Sequence, residues 1–267
     1  MDKRIISIYT NGTQVSIETR SLLKKKLEAS GFFVPKEFSP DSELLVCIGG
    51  DGTTLESIHK YGFPKVPIIG INTGHLGFFQ EIHPNQLDEF IFNYKEGKYR
   101  LQPLATVKAH VHEGGQVHLH RGLNEIVVKG SNAFSAHLNI SIGGSFIERF
   151  SGDGVLVATP AGSTAYNYSL GGSIVDPRLK LLQVTPIAPM NTTAYRSFTS
   201  SILLPCDMSL EIVPEYTKDD STCIITDGII THYENVDLIK VEFSETSVNL
   251  LRFETYDFWN KVKTKFL

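Results

Sequence analysis

Cysteine is scarce in this chain. The three residues among 267, Cys47, Cys206 and Cys223, lie far apart and are odd in number. That pattern excludes a disulfide framework and a zinc site of clustered thiolates, and buried reduced thiols are the expectation. Long apolar runs are missing too: none approaches the roughly 20 residues that a membrane-spanning helix needs. An excess of positive charge is also absent, the formal net charge being −4. The chain therefore carries no electrostatic signature of a nucleic-acid or membrane-surface binder. Lys3 and Arg4 precede only a short apolar segment, 5–9, which suits a first β-strand better than a signal peptide. Internal repeats and low-complexity segments do not occur. What is left, 41% hydrophobic and 20% charged residues, is the make-up of an ordinary globular protein. The length allows one large domain or two small ones.

The first third alternates short apolar runs with helical patterns. A β-rich start at 4–9 ends at Asn11-Gly12, and 13–30 reads as a helix whose apolar positions are Val15, Ile17, Leu22, Leu23 and Leu27. A short strand is expected at 32–34, a buried strand from Leu44, and a helix from the glycine loop to about Tyr61. Another apolar run covers 66–71, and Leu87, Phe90, Ile91 and Tyr94 mark a helix over 84–94. Strands alternating with helices predict a parallel sheet with right-handed crossovers and ligands at the carboxyl ends of its strands.

Near Gly97 the pattern changes to period-two alternation with turn signals at Gly114-Gly115, Gly143-Gly144 and Lys218-Asp219-Asp220. That predicts an antiparallel β domain. A three-residue turn, Glu113 to Gly115, would place His110, His112, His118 and His120 on one solvated face and Val107, Ala109, Val111, Val117 and Leu119 on the other. The domains expected are an α/β domain over 1–97 and a β-sandwich over 98–250. A C-terminal helix in 251–267, with Phe258, Trp259, Val262 and Phe266 at helical spacing, returns to the first domain.

Three stretches resist a packing explanation. In the first, an apolar strand stops at Gly49-Gly50-Asp51-Gly52-Thr53, where a helix begins. Backbone N–H groups at such a helix start suit phosphate. A carboxylate there is a metal ligand, a base for a hydroxyl attacking phosphorus, or simply a helix cap; Thr53 and Glu56 offer a rival capping box. The loop has neither the dinucleotide fingerprint nor the Gly-Lys-Ser/Thr ending of a phosphate loop. In the second, Asn124-Glu125 opens a strand and could hold a ribose or an amide. The third runs over 151–172 with a Gly152-Asp153-Gly154 turn, a strand, a Pro-x-Gly turn and a hydroxyl-rich helix start, again a cradle for anion and ribose.

Together Gly49-Gly50-Asp51-Gly52-Thr53, Asn72-Thr73-Gly74-His75-Leu76-Gly77-Phe78, Asn124-Glu125, and Gly152-Asp153-Gly154 with Thr159-Pro160-Ala161-Gly162-Ser163-Thr164-Ala165-Tyr166 resemble the successive motifs of the NAD kinases. The likeness runs nearly end to end and is nearest to the short bacterial form. Phosphofructokinases and diacylglycerol and sphingosine kinases share the first motif; the Asn-Glu pair and the Thr-Pro run single out NAD kinase.

The resemblance implies transfer of the γ-phosphoryl group of ATP, or of polyphosphate in some members, to the 2′-hydroxyl of the adenosine ribose of NAD. The fold implied is a Rossmann-like, phosphofructokinase-like α/β domain plus a β-sandwich. By the same resemblance Asp51 is the general base, and Gly49, Gly50, Gly52 and Thr53 form the phosphate loop. Phe78 encloses the adenine, Asn124 and Glu125 hold ribose hydroxyls, and Asp153 takes the nicotinamide amide. Ser151, Ala161, Thr164, Ala165, Tyr166, Asn167, Tyr168, Ser169 and Ala188 line the NAD pocket. A divalent ion, Mg²⁺ or Mn²⁺, comes with ATP and needs no dedicated protein metal site. A cytoplasmic homodimer or homotetramer serving NADP biosynthesis is implied. Relatives often carry Arg at the position of Ser151, Thr or Ser at Ala161 and Lys at Tyr168, so up to two positive charges near NAD are missing here. Two other readings are a diacylglycerol-type lipid kinase and a non-catalytic NAD-binding regulator.

Overall fold

The computed structural model describes residues 4–74, 77–130, 135–193, 195–216 and 221–266. His75 and Leu76 of the second motif and the turn at Lys218-Asp219-Asp220 lie outside the described residues. The chain divides into two compact units, one of residues 1–103 with 247–267, the other of 104–246.

In the first unit, strands β1 (Ile6–Thr10), β2 (Leu44–Gly49) and β3 (Ile68–Asn72) pair in parallel in that order. They alternate with helices α1 (Gln14–Ala29) and α2 (Asp51–Lys60). A short strand, β4 (Gln80–Ile82), joins β3, and a 3₁₀ turn at Pro84–Gln86 leads into α3 (Leu87–Lys95). β2 is buried at every position, as a parallel strand covered on both faces must be. Leu87, Phe90, Ile91 and Tyr94 of α3 close over Ile6, Leu44, Val46, Ile69 and Ile71.

α1 departs from the expected face. Leu23 and Leu27 are buried, but Val15, Ile17 and Leu22 are exposed. The helix instead turns inward the small polar Ser16 and Thr19, which share its inner stripe with Leu23 and Leu27 at spacings of three and four. The expected strand at 32–34 is reduced to a single parallel bridge, Ile5 to Phe33.

The second unit holds β5 (Arg100–Glu113, begun in the first unit), β6 (Gln116–Gly122), β7 (Glu125–Gly130), β8 (Ala136–Ile142), β9 (Ser145–Gly152) and β10 (Gly154–Ala158). A 3₁₀ turn, Ala161–Thr164, and the one-turn helix α4 (Tyr166–Ser169) follow. Next come β11 (Leu181–Ile187), β12 (Ile202–Pro205), β13 (Ser209–Pro214), β14 (Thr222–Thr226) and β15 (Ile229–Tyr233). The last strand, β16 (Val236–Arg252), ends in the first unit, where Leu250 pairs with Ile68, and helix α5 (Phe258–Phe266) follows. One antiparallel sheet has the order β12-β11-β10-β7-β14-β15; opposite it β16, β13, β8 and β9 are neighbours, with β5 and β6 beside β16. Alternate residues of both sheets meet in one core: Ile126, Val128, Val155 and Val157 from the first, Val111, Ile140, Ile212 and Ile239 from the second. This is a β-sandwich. Among the described residues no helix is long and apolar enough to cross a membrane.

Two expectations are corrected here. The β5–β6 hairpin pairs Glu113 with Gln116, so its turn is the two residues Gly114-Gly115, both with positive φ, and not three. A turn of that kind matches strand twist and needs glycine. Its register puts His110 opposite Leu119 and Val111 opposite His118, so the histidine pairs lie on opposite faces and Val117 and Leu119 are exposed. The thiols also differ from expectation: Cys47 and Cys223 are buried, but Cys206 is exposed just beyond β12.

Candidate functional site

The first unit presents the glycine loop at the carboxyl end of β2. Gly50 is the N-cap of α2 and Asp51 the first helical residue. Gly49 has φ +155°, and a Cβ there would fall 2.1 Å from Thr53 Oγ1. The helix-cap reading of Asp51 fails. Its carboxylate turns away from its own helix and accepts two successive backbone N–H groups, Phe78 to Oδ2 and Phe79 to Oδ1, both at 2.9 Å. A Cβ at Gly77 would come within 2.4 Å of Asp51 Oδ1, so any larger residue there would push the carboxylate out of its place. The Asp51 side chain keeps 28% of its surface exposed, and the Lys265 ammonium lies 4.0 Å from Oδ2. A carboxylate fixed by two N–H groups but open to solvent retains lone pairs for a further proton. Phe78 itself is buried, its ring against Phe258 and Phe266 of α5.

The second unit builds its part around the turn before β7. The Asp227 carboxylate accepts the N–H groups of Leu123, Asn124 and Glu125 at 2.7 to 3.1 Å. Thr159 donates its hydroxyl to the Leu123 carbonyl and its N–H to the Asn124 carbonyl. Gly162 packs so close that a Cβ would lie 2.0 Å from the Asn124 oxygen. With the backbone so satisfied, Asn124 Oδ1 and Glu125 Oε2 remain buried without a hydrogen-bond partner. Buried unpaired acceptors call for an explanation. Burial, aided by the neighbouring Asp227 charge, pushes the Glu125 carboxyl up to about 8.

The 151–172 stretch sorts into inner and outer residues. Asn167 is fully buried; its amide donates to the carbonyls of Ser163 and Ser173, and its oxygen accepts the Thr185 hydroxyl at 2.7 Å. Ser163 ties the Pro160 carbonyl to the Val175 N–H. Ser151 is buried, its N–H on the Ser197 hydroxyl and its own Oγ unpaired. Asp153, Tyr166, Tyr168, Ser169 and Ala188 are exposed, while Ala161, Thr164 and Ala165 are half-buried. The sequence gives no site role to the framing residues Asp227, Arg252 and Lys261, while Thr159 stands in its Thr-Pro run. A charge inside the apolar run Leu250-Leu251-Arg252-Phe253 was the available signal for one of them.

A parallel α/β unit with a glycine loop and a gripped carboxylate, in one chain with a β-sandwich whose buried turn leaves two acceptors unpaired, suits a nucleotide-handling phosphotransferase. Comparison with known proteins makes this specific. Residues 3–99 match the ATP-NAD kinase N-terminal domain and 123–253 the ATP-NAD kinase C-terminal domain. The chain is 38% identical to an NAD kinase of Finegoldia magna, over 100% of this chain and 99% of that one. It is 35% identical to the NAD kinase of Streptococcus pneumoniae strain Hungary19A-6, over 95% and 91%. The chain belongs to the NAD kinase family, and neither the lipid-kinase nor the regulator reading is favoured. Two solved structures share the fold. A yeast NADH kinase complexed with NADH has TM-score 0.85 at 21% identity, over 98% of this chain and 86% of that one. An Archaeoglobus fulgidus NAD kinase in complex with ATP has TM-score 0.74 at 24% identity, over 98% and 99%.

Proposed function

We propose that Asp51 is the general base that takes the proton of the 2′-hydroxyl of the adenosine ribose of NAD as that oxygen attacks the γ-phosphorus of ATP. The observation that carries this is the Asp51 carboxylate, fixed by two successive N–H groups yet open to solvent. Phosphoryl transfer asks mainly for positioning and charge stabilisation, and a general base adds about 10²–10⁴-fold. Gly49, Gly50, Gly52 and Thr53 receive phosphate at the start of α2. The 104–246 unit is the NAD-binding part. Its unpaired acceptors on Asn124 and Glu125 suit ribose hydroxyls, Glu125 acting as donor as well while it keeps its proton. Asp153 takes the nicotinamide amide. Ser151, Ala161, 164–169 and Ala188 border the dinucleotide, and Phe78 flanks the adenine.

The ATP and NADH bound by the two structural neighbours support adenine nucleotides as the ligands of this chain too. Polyphosphate is a second donor to test. Among the described residues no group of three or more His, Cys, Asp and Glu gathers. The divalent ion, Mg²⁺ or Mn²⁺, would enter on the phosphates of ATP and offset the charge of the transferring group. The remaining proposals are NADP biosynthesis in the cytoplasm and a homodimer or homotetramer, the latter to be read by light scattering at micromolar protein.

The test is NADP formation from NAD, ATP and Mg²⁺ by the unaltered chain beside Asp51→Asn. The variant is expected to fold normally and to lose about 10²–10⁴-fold in kcat. Near-normal turnover would show that Asp51 is not the base.

A further inference from the structure

The two N–H groups that hold Asp51 belong to a short loop, 77–80, and the opposite side of that loop is gripped as well. Its four successive carbonyls all point to cations. Arg252 donates from Nη2 to the Phe78 carbonyl at 3.0 Å and from Nη1 to the Phe79 carbonyl at 3.3 Å. Lys261 donates from Nζ to the Gly77 carbonyl at 3.2 Å and to the Gln80 carbonyl. Arg252 is itself immobilised by Gln102 Oε1 at 2.9 Å, Glu81 at 3.1 Å and the Tyr256 ring 3.7 Å away. Arg252 is only 2% exposed and Lys261 is half-buried, where desolvation and repulsion from Arg252 push its ammonium down to about 8. Buried cations at a cost of this kind are expected where they serve a site.

We infer that Arg252 and Lys261 are positioning residues for Asp51: by holding the four carbonyls of 77–80 they aim the Phe78 and Phe79 N–H groups that fix the orientation of the base. The inference rests on the assignment of Asp51 as that base. Cations behind the peptide units also polarise the two N–H groups toward the carboxylate, as in any hydrogen-bonded chain at low dielectric. Neither residue needs to touch substrate, so the loss on removing one falls on kcat and not on KM.

The experiment is a double-mutant cycle on the full chain with Lys261→Met and Asp51→Asn. In the unaltered background Lys261→Met is expected to lower kcat about 10- to 100-fold, the usual effect of a small misplacement, with KM for NAD and for ATP changed less than about twofold. In the Asp51→Asn background, read by single-turnover product formation at high enzyme concentration, it is expected to cost less than about twofold more. Equal losses in both backgrounds would overturn the inference, because a purely structural role acts with or without the carboxylate. So would an unchanged kcat, or a loss carried by KM. Failure of the base assignment has a different signature: Asp51→Asn then keeps its turnover whatever Lys261 does. If circular dichroism shows Lys261→Met unfolded, the same cycle is run with Arg252→Lys, which keeps the charge but cannot span both carbonyls. A smaller loss in kcat, again absent beside Asp51→Asn, is expected.

Discussion

Glu125 is a buried acid with a stability cost that depends on pH. Its carboxyl is raised from the usual 4.5 to about 8, first by burial and then by Asp227. Between those pH values the folded chain keeps a proton that the unfolded chain has released, so stability falls as pH rises from about 4.5 to about 8. Above 8 the whole penalty is present; below 4.5 it is gone. Gln mimics the protonated acid and does not ionise. Glu125→Gln is therefore expected to stabilise the free protein by about 1–3 kcal/mol at pH 8.5 and to change little at pH 4, read by urea denaturation at both. If it is less stable at pH 8.5, Glu125 is not held protonated. The same change should raise KM for NAD above pH 8, where the ionised carboxylate presents two acceptor oxygens and the amide only one. Unlike the gripped Asp51, Glu125 reveals itself through what it lacks.

At the scale of the element, the 159–172 loop behaves as a small folded piece with Asn167 at its centre. Three hydrogen bonds converge on that side chain, to Ser163, Ser173 and Thr185. Asn167→Ala should cost about 2–4 kcal/mol in chemical denaturation and raise KM for NAD as Tyr166 and Tyr168 lose their footing. A loss under about 0.5 kcal/mol would mean that the loop holds itself by other contacts. Elements of this kind were legible in the sequence where composition forces them. The buried strand β2, the glycine loop, the sandwich alternation and the Leu87-Phe90-Ile91-Tyr94 face of α3 all follow from period and turn chemistry. The α1 face and the β5–β6 register are among the features that do not follow. The α1 face was misjudged because Ser16 and Thr19 occupy inner positions while Val15, Ile17 and Leu22 do not. The β5–β6 register departs from the burial pattern because Gly114-Gly115, both with positive φ, close a two-residue turn that leaves Val117 and Leu119 exposed. The residues that frame the site, Asp227 and Arg252, act across more than a hundred positions of sequence. No local pattern encodes such partners.

For the molecule as a whole, the thiols give a direct readout of folding. One of the three cysteines, Cys206, is exposed; Cys47 and Cys223 are buried, and burial pushes Cys47 up to about 12. A thiol reagent should titrate one equivalent per chain in native buffer and three in guanidinium, with no change in thermal midpoint on adding reductant. A second fast equivalent in native buffer would show that β14, which carries Cys223, opens readily. The division of the chain has a consequence in time. The first unit is discontinuous, and Arg252 and Lys261 lie 173 and 184 residues downstream of carbonyls they hold, Phe79 and Gly77. A ribosome delivers Asp51 and its loop early, then makes the whole sandwich, and only afterwards the strand end and helix that brace them. Until those last residues emerge, the loop that fixes the Asp51 carboxylate lacks both of the side chains that hold its carbonyls.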